Sequence, residues 1–224
     1  MAREQHQDEF DALRDDVPVM GEFVLGRLDE ALTALRTGDG ALGQEVAGGD
    51  AAVNGRYLGL ESRCIDLFAL QQPAVGDLRF VAASFDILTD LGRIADLASN
   101  LGRYAADTGG DLTPEVAVSD IGSAARSLVR RSLDAYTGRD AAACQSIHAD
   151  DDEIDALCAR ASDAVAHDLI EREAATDAWE LERLLDNVSR LLLTVRDFER
   201  IDDHTVNIAT RTLYMVESDP ELIY

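Results

Sequence analysis

The stretch RDFERIDDHTVNIAT, residues 196–210, has a weaker echo 107 residues earlier in TDLGRIADLASNLGR, residues 89–103. Across that offset Asp197, Arg200, Ile201, Asp203 and Asn207 align with Asp90, Arg93, Ile94, Asp96 and Asn100. Nearer the start of each half, Leu133, Ala135, Asp140 and Ile147 align with Leu32, Ala34, Asp39 and Val46 at an offset of 101. The six extra residues fall between the second and third helices of the second copy. Self-similarity over this length means two copies of one supersecondary unit.

That unit is helical. Apolar residues Leu181, Leu184, Leu185, Val188, Leu191, Leu192, Val195 and Phe198 recur at helical spacing and mark one face of a long helix. No alternating pattern of useful length points to a strand, and there are only four prolines, at 18, 73, 114 and 220. Gly, Pro, Asp and Thr suited to helix ends cluster at TGDG (37–40), QQP (71–73), TGGDLTP (108–114), TGRD (137–140) and EREAATD (171–177). Five breaks give six helices. An amphipathic helix buries its stripe against two neighbours, so the expected fold is all-α: two tandem, pseudo-repeated three-helix bundles, residues 1–109 and 110–224. Pro18, behind Asp15 and Asp16, is either a first-turn proline or a kink.

Composition constrains the setting. The 224 residues carry 29 Asp and 15 Glu against 20 Arg and no Lys, for a net charge of −24. With no broad basic face to neutralise phosphates, direct nucleic-acid binding is excluded as a general surface property. The 46% hydrophobic content sets the chain apart from disordered acidic tails. A folded, lysine-free, Asp-rich protein suits a halophilic cytoplasm with molar salt, where dense carboxylates hold water and ions screen their repulsion. The N-terminal MAREQHQDEFDALRDD has no signal-peptide pattern, and no run approaches the ~18 apolar residues of a membrane span, so a cytoplasmic location is expected. Cys64, Cys144 and Cys158 show no CxxC or zinc spacing and are expected to be reduced, structural thiols.

Carboxylates four apart occur on two helices: Asp151 with Asp155, and Glu199 with Asp203. In so acidic a chain such spacing arises by chance about as often as it is observed. Position relative to the apolar stripe says more. Asp151 falls within the run Cys144, Ile147, Ile154, Cys158, Ala161 and Val165 where an apolar residue is due, and Glu199 follows Leu185 and Leu192 at steps of seven. Both are therefore expected to point into the bundle. Neighbouring carboxylates out of water need protons, arginines or a cation, and a hard cation with oxygen ligands is the natural solution. None of His6, His148, His167 or His204 has a Glu three residues before it, so the Glu-x-x-His pairs of di-iron bundles are missing. His148 and His204 are either supporting ligands or surface residues. No GxSxG and no phosphate-cradling glycine loop is present, and no catalytic constellation is visible.

Four stretches in order, ALQQPAVGDLR (69–79), GRIADLASNLG (92–102), DDEIDAL (151–157) and ERIDDHTVNIA (199–209), resemble the PhoU family of phosphate-uptake regulators in its stand-alone two-repeat form. The resemblance runs from Phe10 to Met215. It implies a cytosolic, often homodimeric, non-enzymatic protein. Such a protein restrains phosphate import by contacting the ATPase subunit of a phosphate ABC transporter, and in bacteria links it to a phosphate-sensing histidine kinase. It also implies metal binding through paired E/D-x-x-x-D motifs, with iron, zinc or magnesium as the cation. The residues carried over are Asp151, Asp155, Glu199 and Asp203. Their first-half counterparts are Asp50, Asn54, Gly92 and Asp96, so a weaker, degenerate site retaining Asp50 and Asp96 is expected there. The alternative reading is a metal-binding helical scaffold or metal buffer without transporter regulation.

Overall fold

A computed structural model describes residues 2–69, 74–108, 118–173 and 178–218. Their regular structure is helical throughout: α1 (Ala2–Thr37), α2 (Gly40–Gly48), α3 (Asp50–Phe68), α4 (Val75–Thr108), α5 (Val118–Gly138), α6 (Ala141–Glu173) and α7 (Ala178–Glu217). Two three-helix units result, α1/α2–α3/α4 and α5/α6/α7. The six-helix plan holds with one helix interrupted. At Gly48–Gly49 the second helix of the first repeat breaks into α2 and α3, whereas α6 runs through the aligned Ala149 and Asp150. Two adjacent glycines forfeit about 2 kcal/mol of helix propensity relative to alanine, which explains the break. Pro18 lies in the interior of α1, not in its first turn. The breaks at QQP, at residues 109–114 of TGGDLTP and at 174–177 of EREAATD lie outside the described residues.

The aligned turns at 37–40 and 137–140 are built alike. Gly38 and Arg139 both take the left-handed conformation, at φ 66° and 51°. The next residue caps the following helix: the Asp39 carboxylate accepts from the N–H groups of Ala41 and Leu42, and that of Asp140 from Ala143. Asp39 N–H donates to the Ala34 carbonyl and Asp140 N–H to the Ala135 carbonyl, closing the preceding helix.

The repeats share one core. α4 packs against α1, α2, α3 and α7, while α5 packs against α1, α6 and α7, so α1 meets α5 and α4 meets α7 across the seam. Leu88, Leu91, Ile94 and Leu101 of α4 and Phe198, Ile201 and Ile208 of α7 are fully buried in a single cluster that spans both repeats. Two glycines admit the close approach of α1 and α5. A Cβ on Gly21 would meet Leu133 Cδ2 at 2.5 Å, and one on Gly122 would meet Leu32 Cδ2 at 2.5 Å. Both residues of each pair are related by the 101-residue offset, so one knob-in-hole contact is used twice about a pseudo-twofold axis.

The buried line of α7 differs from the expected one. Val188, Leu191, Val195 and Phe198 are buried, but Leu185 and Leu192 are 46% and 40% exposed. The leucine-rich run offers several helical stripes of similar apolarity, and packing against α4, α5 and α6 selects the one that continues through Asp202, Thr205, Ala209 and Thr212.

Candidate metal centre

On α6, Cys144, Ile147, Ile154, Cys158, Ala161 and Val165 are all buried, and Asp151 stands half-buried among them. Asp155 lies one turn further on and is exposed at the helix rim. Facing them, α7 presents Asp202, which is 1% exposed on the buried line between Phe198 and Thr205. One oxygen from each of Asp151, Asp155 and Asp202 lies within 4.8 Å of the others. Glu199, half-buried, and Asp203, exposed, flank Asp202 on α7. The cluster opens to a cleft of about 490 Å³ lined by Asp151, Arg200, Asp203, His204, Val206 and Asn207.

Electrostatics bind these groups into one unit. Burial, reinforced by contact with Asp151 and by the charges of Asp155 and Asp203, holds the Asp202 carboxyl well above the usual range. Burial also raises Asp155, with Asp151, Asp203 and Asp152 adding to the shift. Glu199 is raised by burial and then by Asp155 and Asp203. Both Asp202 oxygens are buried without a hydrogen-bond donor. The contact with Asp151 becomes a hydrogen bond only when one of the two carboxyls carries a proton. An ionised carboxylate in this position is costly unless a positive charge joins it.

That orphaned acceptor pair is the test of fit for a cation, and the residues pass it. Asp151, Asp155 and Asp202 would hold the ion, with Glu199 and Asp203 beside them, an all-oxygen set suited to a hard cation. Cys158 sits under the cluster as a buried thiol donating towards the Val195 carbonyl at 4.0 Å. Burial, then Glu199, Asp155 and Asp202, push it up to about 12, so it stays protonated at neutral pH. The two histidines are engaged elsewhere: His148 Nε2 lies 2.9 Å from Thr210 Oγ1, and His204 Nδ1 lies 2.9 Å from Asp90 Oδ1 on α4. His204 also borders the cleft.

Sequence reasoning missed Asp202. The signal was present, since Asp202 lies seven residues after Val195 and seven before Ala209, both buried, but the neighbouring leucines drew the stripe through Glu199.

In the first repeat, Asn54, Gly92 and Asp96 come together with Tyr57, Thr89 and Arg93 around a smaller cleft of about 200 Å³. Asp50 is absent from that lining. It accepts from Ser99 Oγ at 2.5 Å and lies 3.6 Å from Arg27 Nη2, while Asp96 lies 3.6 Å from Arg93 Nη1. The counterpart of Asp202 is Ala95, which is buried.

Tandem three-helix repeats sharing one core, with a carboxylate cleft between the last two helices, define an all-helical, two-repeat protein with one strongly acidic site among its described residues. The PhoU-domain family model matches residues 17–105 and 118–212, and the chain belongs to that family of phosphate transport accessory proteins, which are regulators and not enzymes. It is 31% identical over 216 residues to the "Phosphate-specific transport system accessory protein PhoU homolog" of Pseudomonas putida, covering 95% of this chain and 81% of that one. Identity to the PhoU accessory protein of Escherichia coli K12 is 27%, covering 95% and 86%. Among solved structures, PhoU from Pseudomonas aeruginosa superposes with a TM-score of 0.86 at 28% identity, covering 95% of this chain and 99% of that one. The phosphate transport system regulatory protein PhoU from Streptococcus pneumoniae shares the fold, with a TM-score of 0.83 at 24% identity over 96% and 98% of the chains.

Proposed function

We propose that this chain regulates phosphate uptake and phosphate signalling by binding the ATPase subunit on the cytoplasmic side of a phosphate ABC transporter, with a cation held by α6 and α7 as part of its working state. The observation that carries the cation site is the Asp202 carboxylate, fully buried and without a donor, facing Asp151 and Asp155. An ion there joins two helices that would otherwise repel through their carboxylates, so its occupancy biases the geometry of the second repeat. A regulator must bind one state of its partner better than another, and such a bias supplies the preference.

Membership of an accessory family supports the transporter partner. None of the described helices is long and apolar enough to cross a membrane, which suits a peripheral role. Exposed Leu58, Ile65 and Phe68 on α3 add apolar surface of the kind that partners or a second copy cover. The lysine-free, acidic composition suits a salt-loaded cytoplasm. Magnesium and ferric iron suit the oxygen set as hard cations, and zinc, though borderline-soft, also accepts carboxylate oxygens and serves as a probe. A metal buffer is the weaker reading, because storage profits from many sites and the two repeats do not present equivalent ones.

Copurification with the ATPase subunit in high-salt buffer tests the reading. Wild type is expected to retain the subunit and Asp155→Ala/Asp202→Ala to lose it, with phosphate uptake derepressed in the corresponding strain. Phosphate-dependent uptake left unchanged by deleting the whole chain would refute it.

A further inference from the structure

Arg27 is the buried arginine of the first repeat, 7% exposed inside the core edge between α1, α2 and α4. Its Nη2 donates to the Val46 carbonyl at 2.6 Å and to Ser99 Oγ at 2.9 Å, and Ser99 Oγ in turn donates to Asp50 at 2.5 Å. Its aligned residue in the second repeat is Leu128. Two further differences between the repeats fit this side chain, and a third removes the buried acceptor. Gly49 stands where the second repeat has Asp150, and a Cβ at Gly49 would come within 1.8 Å of Arg27 Nη1. Ser99, the bridging hydroxyl, stands where the second repeat has Val206. Ala95 stands where it has the buried acceptor Asp202.

We infer that Arg27 is a built-in cation that takes the place of a metal in the first repeat and determines that this repeat does not bind one. This deepens, and rests on, the reading of the Asp151/Asp155/Asp202 cluster as a cation site. Asp50 aligns with Asp151, so the same carboxylate position is neutralised by an ion in one repeat and by a guanidinium in the other. With Asn54, Gly92 and Ala95 in place of Asp155, Glu199 and Asp202, the first repeat has lost three carboxylates and gained a fixed positive charge. A cation entering beside Asp50 would meet the Arg27 charge at close range. The guanidinium also caps the carbonyl of Val46 at the end of α2, so it holds the α2–α3 break in place.

Zn²⁺ binding to the full chain, measured by equilibrium dialysis in molar KCl, tests the assignment. Wild type is expected to bind one Zn²⁺ and Asp155→Ala/Asp202→Ala none. Into that second background the missing carboxylates are returned to the first repeat, as Asn54→Asp/Gly92→Glu/Ala95→Asp, with and without Arg27→Leu. The Arg27→Leu form should bind Zn²⁺ at least about tenfold more tightly than the form that keeps Arg27. Equal affinity in the two forms, or Zn²⁺ held by Asp155→Ala/Asp202→Ala and lost on adding Asp50→Asn, overturns the assignment. Failure of the second-repeat reading looks different: wild type binds no Zn²⁺, while the two grafts still separate. A melting cycle needs no grafts. Arg27→Met should lower Tm, and Asp50→Asn should then recover at least about 2 °C because the carboxylate no longer lacks a counter-charge. No recovery means that Arg27 serves only as a cap, and refutes the inference.

Discussion

Asp202→Ala should reverse the order of stability of wild type and variant depending on whether metal is present. In chelator at pH 8, near the value of about 8 to which burial raises Asp202, the wild-type chain carries a buried carboxyl that is losing its proton with Asp151 and Asp155 beside it. An unsatisfied buried acceptor costs about 1–3 kcal/mol, more when charged. Ala95 shows that the fold accommodates alanine at the aligned position of α4. After allowing about 1 kcal/mol for the atoms removed, the variant should be more stable than wild type by up to about 2 kcal/mol. For a chain of this length that is a rise in Tm of up to about 8 °C. The pH dependence follows from the direction of the shift. The folded-state carboxyl holds its proton to higher pH than the unfolded one, so its contribution to stability is full below the usual carboxylate range and is lost as pH rises towards the raised value. The slope is at most about 1.4 kcal/mol per pH unit, and the difference between wild type and variant isolates it from other carboxylates. With metal at ~100 times its dissociation constant, wild type gains about 2.7 kcal/mol and the variant gains nothing. Scanning calorimetry between pH 5 and 8, with chelator and with Zn²⁺, reads all three effects. A variant that is less stable than wild type in chelator, yet keeps the full metal shift, would refute the argument.

Further expectations concern the scaffold. Gly43→Ala brings a Cβ to 2.6 Å from the Gly102 carbonyl oxygen and 2.9 Å from Ala106 N, both backbone, so α2 and α4 must separate. It should cost about 1–3 kcal/mol in urea unfolding, whereas Gly55→Ala, with no atom within 4 Å, should stabilise α3 by up to about 1 kcal/mol. Equal effects of the two would show that helix propensity and not backbone approach governs. The thiols of Cys64 and Cys144, pushed up to about 11 by burial, and of Cys158, pushed up to about 12, should ignore Ellman's reagent at pH 8 until denaturant is added. One equivalent reacting at once in the native chain would contradict this. At −24, lowering KCl from molar to ~0.1 M lengthens the screening distance from about 3 to 10 Å and should lower Tm by several degrees, followed by circular dichroism. A Tm insensitive to salt would remove the halophilic reading.

Much of the fold was legible because it rests on local chemistry. The turn at Asp39 and its copy at Asp140 were visible as aligned residues, and they make the same caps. The α6 stripe was read correctly because no competing stripe runs beside it, and that is why Asp151 was placed on the buried face of α6. On α7 the leucines at 184, 185, 191, 192 and 193 allow several faces, and the choice belongs to the neighbours α4, α5 and α6. Asp202 was missed for that reason. It carries no unusual spacing, and only the helix it meets makes it the buried member of the cluster.

The matched aspartates show where the division falls. Periodicity and repetition along the chain were sufficient for two helical bundles, for the turns and for a carboxylate excess on α6 and α7, since each follows from residues within a few turns of one another. Asp90 and Asp197 align in sequence, but in the fold each reaches into the other repeat: Asp90 meets His204 of α7, and Asp197 accepts from Tyr104 of α4 at 3.2 Å. Arg27 likewise looks like an ordinary surface charge until α1, α2 and α4 close around it. Burial and the identity of a partner many residues away are properties of the packed seam, and they separate a solvated acid from a buried one without a donor.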